Sequence, residues 1–269
     1  MLEGKSALLR HASLLLVCAL LAGACPRVAE SDQSLDVSLV IAADVSTSMD
    51  AEEKALQQQG FAEAFRRPEV VEAIRRGRHG RIAVTYVEWG GERQQRLVVP
   101  WTVIATEEDA WRFSIALEQN FPSKLRRGTS ISGVLAFASH LFYGSGSVAE
   151  RRVINISSDG INNGGPPLQA MRDNLVAQGV TINGMPIVYR KLAESILYDP
   201  DETASPEALQ SYFRKEVIGG AGAFIEPIAT PADYSAAIAR KLLREITGEG
   251  YTAALDRTVH ANPLPSLEK

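Results

Sequence analysis

Two rhythms of apolar and polar positions alternate along the chain. Leu35 to Ala43 (LDVSLVIAA) is a β-branched, apolar run, long enough for a buried strand and too short for a helix, and it ends on Asp44. Asp50, with Glu53 three residues later, makes a capping box. Leu56, Phe61, Ala64 and Phe65 then carry helical spacing to a stop at Pro68. Arg81 to Trp89 and Arg96 to Trp101 read as strands joined through the turn Gly90-Gly91. They form a hairpin whose second member, holding Pro100, belongs at a sheet edge. Thr106 caps a helix that runs through Asn120.

The second half repeats the alternation. Gly128-Thr129-Ser130 opens a helix with Ile131, Val134, Leu135, Ala138 and Leu141 on one face. Val153 to Ser157 is a buried strand running into Ser158-Asp159-Gly160, and Pro166-Pro167 begins a helix to Gln178. Val180 to Val188 is a further strand, residues 189 to 205 a loop, Glu207 to Lys215 a helix and Ala223 to Glu226 a short strand. Pro231 to Thr247 is a closing helix, ended by Gly248. Strands alternating with helices predict one α/β domain, residues 35–248, with a doubly wound, mostly parallel sheet covered on both faces. Ligands of such sheets bind at the carboxyl ends of the strands where the strand order reverses, which directs attention to the loops after Ala43, before Ser130 and after Ser157.

The N-terminus carries a different signal. Lys5, Arg10 and His11 precede the apolar run Ala12 to Ala22, and Ala22-Gly23-Ala24 supplies a small-residue cleavage pattern. Residues 1–24 are therefore expected to be an export signal peptide and 25–34 a polar leader. Cys25 offers an alternative lipoprotein anchor, although Ala22 stands where a larger aliphatic residue is usual. The two cysteines, Cys18 and Cys25, both fall in this region, so the domain itself has neither a disulfide nor a thiolate metal site. The whole chain has 28 Lys and Arg against 32 Asp and Glu, a formal charge of −4, and losing Glu3, Lys5 and Arg10 with the signal makes it about −5. That balance argues against a nucleic-acid partner. Residues 249–269, with Pro263 and Pro265 and no apolar period, are expected to be a dispensable tail.

The three carboxyl-end loops present Asp44, Ser46, Ser48, Thr129 and Asp159, all hard oxygen donors. Three hydroxyls bonded directly to Mg²⁺ or Mn²⁺, with two carboxylates behind them holding waters, make a plausible octahedral site with one position open. An ion held mainly by neutral groups keeps much of its charge and seeks an anionic oxygen from outside, such as an Asp or Glu of a partner protein. Ser, Thr and Asp are also ordinary cap and turn residues. What favours the metal reading is their coincidence on three loops of one sheet edge.

The run LVIAADVSTSMD, with Gly128-Thr129 and Ser158-Asp159-Gly160, resembles the metal-ion-dependent adhesion site of von Willebrand factor A domains, over roughly Leu35 to Thr247. The resemblance implies that Ser46, Ser48 and Thr129 coordinate the ion directly while Asp44 and Asp159 act largely through water. It also implies a six-stranded sheet with one antiparallel edge strand. The stretches Thr181 to Ile187 and Val217 to Pro227 resemble a bacterial family of exported proteins of unknown function. Together these imply an exported, periplasmic or extracellular binding module and not an enzyme.

The competing reading is a metal-dependent hydrolase or phosphotransferase using Asp44 as nucleophile, but that chemistry wants a second carboxylate two residues on, where Ser46 stands. A third reading is an assembly protein whose site is vestigial. His79, His140 and His260 show no metal-ligand spacing. The Arg pairs at 66–67, 75–76, 126–127 and 151–152 read as solvated surface, and Gly219-Gly220-Ala221-Gly222 as a turn. The charged segment Tyr189 to Gly220 reads equally as an ordinary surface insertion or as a determinant of specificity beside the metal face.

Overall fold

β1, Leu35–Asp44, is buried along all ten of its residues, as a strand must be when helices cover both faces of its sheet. The computed structural model describes residues 34–123, 128–144, 148–189 and 205–248. The expected signal peptide, Cys25 and the tail lie outside them. Among the described residues, β1 is joined by β2 (Ile82–Trp89), β3 (Gln95–Ile104), β4 (Ala149–Ser158) and β5 (Val180–Pro186). The sheet order is β3-β2-β1-β4-β5, parallel except for the antiparallel β2–β3 pair.

The period of two along β1 sorts its side chains onto two cores. Val37, Leu39, Ile41 and Ala43 pack with Phe61, Phe65, Phe113 and Leu242, which come from α1 (Ala51–Phe65), α3 (Glu107–Glu118) and α7 (Tyr234–Thr247). Val40 and Ala42 pack on the other side with Ile131, Val134 and Leu135 of α4 (Ile131–Gly144) and Leu175 of α5 (Leu168–Ala177). Chain connections thus leave β1 and β4 toward opposite faces, and the crevice between their carboxyl ends is the switch point of the sheet.

Several expectations from local sequence are met. Asp50 and Glu53 form the capping box of α1, and Thr106 with Asp109 forms another at α3. Pro100 lies on an edge strand, at a register shift opposite Thr85, where a missing N–H costs no ladder bond. Other expectations need extension or correction. Pro68 ends one helix and, as its first-turn residue, also begins another, α2 (Pro68–Arg75). The sheet has five strands and not six. The stretch Ala223 to Glu226 runs beside β5 but makes only isolated bridges, Gly184 with Ile225 and Ile187 with Ile228. Between these bridges Pro186 has no N–H to give to Glu226 O, the one bond that would join them, so a continuous ladder cannot form.

The segment 205–220 forms a short helix, α6 (Pro206–Tyr212), followed by a π turn over Phe213–Val217. Gly184 of β5 makes room for it: a Cβ there would stand 2.4 Å from Cδ1 of Phe213. The Gly219 to Gly222 stretch is the expected turn. Arg151 and Arg152 are not solvated surface as expected. Both Arg151 Nη1, at 2.8 Å from Glu245 O, and Nη2, toward Ile246 O, donate to the end of α7, while Arg152 donates to Gln178 O past the end of α5. They neutralise helix carboxyl termini, where a cation is favoured.

Candidate metal centre

β1 delivers Asp44 to the switch point with no exposed surface. Its Oδ1 accepts from the Ser46 amide at 2.8 Å, and its Oδ2 from the Ser158 hydroxyl at 2.6 Å. The first bond bends the chain sharply after the strand, as Asp side chains do in turns. Ser46 Oγ is then 3.0 Å from Ser48 Oγ, and Ser48 Oγ donates to Asp159 Oδ1 at 2.8 Å. Four of the five expected residues therefore form one continuous chain of contacts across β1 and β4.

Thr129 reaches the same place from the third loop. Its amide donates to Asn163 Oδ1 and its carbonyl accepts from the Asn163 amide, both at 2.8 Å. The hydroxyl faces the Asp159-Gly160 turn, since a Cβ on Gly160 would lie 3.9 Å from Thr129 Oγ1. Ser130 N donates to Gly90 O, and Ser130 Oγ to Gly164 O, both at 2.8 Å. These bonds tie the start of α4 to the β2–β3 turn and to the loop after β4. Gly165 holds φ +87° here, and a Cβ on it would stand 2.5 Å from Ser130 Oγ, so this close approach requires glycine.

Burial, followed by the nearby charge of Asp159, raises the Asp44 pKa to about 7, against the opposing pull of its hydrogen bonds from Ser158 and Ser46. Deeper still, Gln57 of α1 donates to Asp44 O at 3.1 Å while its Oε1 accepts from Ser157 Oγ, and the same Ser157 Oγ lies 3.4 Å from the Asp44 amide. Ser157, Ser158, Gln57, Asn162 and Asn163 are site-shaping residues that the sequence reading missed. The double Ser before Asp159 and the Asn-Asn-Gly-Gly run after it carried a turn signal that could have flagged four of them. Gln57, mid-helix, had none.

Beside the centre, Asn162 N donates to the Tyr212 hydroxyl at 3.0 Å. An open groove of about 290 Å³ runs from there between Leu168 and Glu216. The described end of the charged insertion thus borders the loop that carries Asp159.

The profile of a family described as "Protein of unknown function (DUF1194)" matches residues 34–250. The chain belongs to that family. Comparison of this DUF1194 domain with curated protein sequences finds no match. Among solved structures, it is similar to proximal thread matrix protein 1 of the mussel byssus, with 14% identity, 80% of this chain and 49% of the other covered, and a TM-score of 0.54. It is also similar to a von Willebrand factor type A protein of Catenulispora acidiphila (16%, 79% and 43%, 0.52) and to the pilus adhesin SpaC of Lactobacillus rhamnosus GG (12%, 79% and 30%, 0.55). The DUF1194 chain spans half or less of the length of these relatives, and the likeness establishes its fold as that of von Willebrand factor A domains. One structure of the mussel protein (15%, 80% and 48%, 0.52) is described with zinc in its MIDAS motif.

Proposed function

We propose that this DUF1194 domain is an exported binding module in which Asp44, Ser46, Ser48, Thr129 and Asp159 hold Mg²⁺ or Mn²⁺ and the ion captures an Asp or Glu carboxylate of a partner protein. The observation that carries it is the pairing of a fully buried carboxyl, Asp44, with Asp159 through Ser46 and Ser48. A divalent cation among these oxygens offsets the electrostatic cost of two acids side by side, and hydroxyls bonded directly leave it charge enough to attract an outside anion. The fold fits, and the zinc-bearing motif of the mussel protein supports a metal in the equivalent part of this one.

Asp44 is poorly suited to the hydrolase reading. It has no exposed surface, and both its oxygens accept hydrogen bonds, one from the Ser46 amide and one from the Ser158 hydroxyl at the end of β4. A nucleophile needs a reacting atom within reach. Export rests on the basic, apolar, small-residue order of residues 1–24. No helix among the described residues is long and apolar enough to cross a membrane. A lipid on Cys25 is the alternative anchor of this reading.

The deciding experiment is affinity capture from the native cell envelope in Mg²⁺ and again in EDTA, with the purified bait titrated by Mg²⁺ and Mn²⁺ in a calorimeter. Partners lost in EDTA and a measurable divalent-ion isotherm are expected. Identical capture in both buffers, or no ion binding by the folded domain with its captured partner present, overturns the reading.

A further inference from the structure

At the opposite, amino-terminal edge of the sheet stands a second group of metal-ligating side chains. Asp36, eight residues before Asp44 on β1, lies about 26 Å from the first centre at a strand's rise per residue. Leu35 pairs with Ala149 and Val37 with Arg151, so Asp36 and Glu150 lie abreast on neighbouring strands, facing the same side. His79, from the loop between α2 and β2, brings Nε2 to 3.1 Å from Glu150 Oε1. The ligating atoms of Asp36, His79 and Glu150 all lie within 4.8 Å of one another.

We propose that Asp36, His79 and Glu150 form a Zn²⁺ site that clips β1, β4 and the loop before β2 together. The ligand types suit zinc: one imidazole nitrogen and two carboxylates whose charges balance the ion, with the fourth tetrahedral position left to water. Ligands about 2.0 to 2.2 Å from zinc stand about 3.3 to 3.6 Å from each other at tetrahedral angles. The His79–Glu150 contact is already close to that spacing, and the other ligand pairs, all within 4.8 Å, need only small side-chain rotations to reach it.

Asp36 is held ready. It is buried, and its carboxylate accepts from the His79 amide at 2.9 Å and the Arg81 amide at 3.2 Å, so the residue that would bind the ion also fixes the histidine's backbone. Each carboxylate oxygen keeps a second lone pair for the metal. Gly77 lets the loop fold this closely, for a Cβ on it would stand 2.2 Å from Asp36 Oδ2. Two cations compete with zinc. Arg78 Nη1 lies 3.0 Å from Glu150 Oε1, but its side chain is 78% exposed and free to swing into water. Arg151 feels the charges of Asp36 and Glu150 but is engaged by the α7 carbonyls. The site escaped the sequence reading because its three ligands come from three separate segments, and a search for spaced histidines finds only one of them.

The test uses the full chain, stripped with a chelator, titrated with Zn²⁺ alone and with Co²⁺ as a spectroscopic probe. The native protein is expected to bind zinc here with a raised Tm and to give the intense visible bands of four-coordinate Co²⁺. His79→Ala and Glu150→Gln should each weaken this binding about 100-fold, by analogy with the upper end of losses from supporting residues, and abolish the Tm rise. A Ser46→Ala/Thr129→Ala double variant should retain it, so this site and the carboxyl-edge centre stand or fall separately. Superposing zinc isotherms for the native protein and His79→Ala overturn the proposal. If His79→Ala does not fold, Glu150→Gln, a change at an exposed side chain, decides it by the same comparison.

Discussion

Ser48 Oγ donates to Asp159 Oδ1 at 2.8 Å, joining two loops whose residues lie 111 positions apart in the chain. That one bond spans the crevice between the ends of β1 and β4, so the loop after each strand is positioned by the other. Under the proposed mechanism Asp159 holds waters on the ion and orients Ser48. Asp159→Ala should therefore weaken Mg²⁺ or Mn²⁺ binding by about 10- to 100-fold, the range for a residue that orients ligands. Calorimetric titration measures it, and an unchanged dissociation constant would place Asp159 outside the site.

Ser46→Ala and Thr129→Ala should separate binding from folding. Both residues are buried but small, at loop positions that bury little apolar area. The Ser46 hydroxyl contacts Ser48, and the anchoring bonds of Thr129 come from its backbone, which alanine keeps. Loss of one hydroxyl contact costs about 1 kcal/mol. Each variant should unfold in urea close to the native midpoint while losing metal-dependent capture. Native-level capture by both variants would remove them from the mechanism.

Metal-free protein should lose stability as pH rises. Burial and Asp159 lift the Asp44 pKa from 3.8 to about 7. Between those values the folded state keeps a proton that the unfolded chain has released. This group's contribution is fully present below about pH 4 and is lost as pH climbs through about 7. Saturating Mg²⁺ binds the ionised form and should reverse the trend above neutrality. Urea titrations at several pH values in EDTA and in Mg²⁺ test this, with Asp44→Asn as the control that should show a flatter profile in EDTA. Parallel native and Asp44→Asn profiles would assign the slope to other groups.

What was legible in the sequence was what local physics decides. The apolar run of β1, the Asp50–Glu53 box and the buried Ile131, Val134, Leu135 and Ala138 face of α4 each follow from spacing within one element. Local spacing also brought Asp44, Ser46 and Ser48 onto one turn. Contacts between distant elements were not legible. The bond of Ser158 to Asp44, the reach of Gln57 beneath it and the meeting of Asp36 with His79 depend on strand register, which no single segment encodes. The missing sixth strand has the same cause. Ala223 to Glu226 has a strand's composition, but whether it completes a ladder depends on which carbonyl falls beside Pro186, which has no N–H to give.

The last prediction concerns the core beneath α7. Lys241 and Glu245 are a fully buried ion pair one helical turn apart. Glu245 Oε2 accepts from Asn155 at 2.9 Å and Oε1 from Asn183 at 3.1 Å, and those two asparagines are register partners on β4 and β5. Glu245 is thus the hub: removing it strands an ammonium and two amides together. Burial pushes the Lys241 pKa down and Glu245 holds it up, so without Glu245 the lysine is driven toward its neutral form. Glu245→Leu should cost about 3 to 5 kcal/mol, the range for breaking a buried pair from one side. Lys241→Met should cost less, because Glu245 keeps both asparagine donors. The double variant should be more stable than Glu245→Leu alone, since no unpaired charge remains. Urea unfolding of the three variants gives the coupling between the two sites. Strictly additive losses would mean that the pair contributes nothing to anchoring α7 on the sheet.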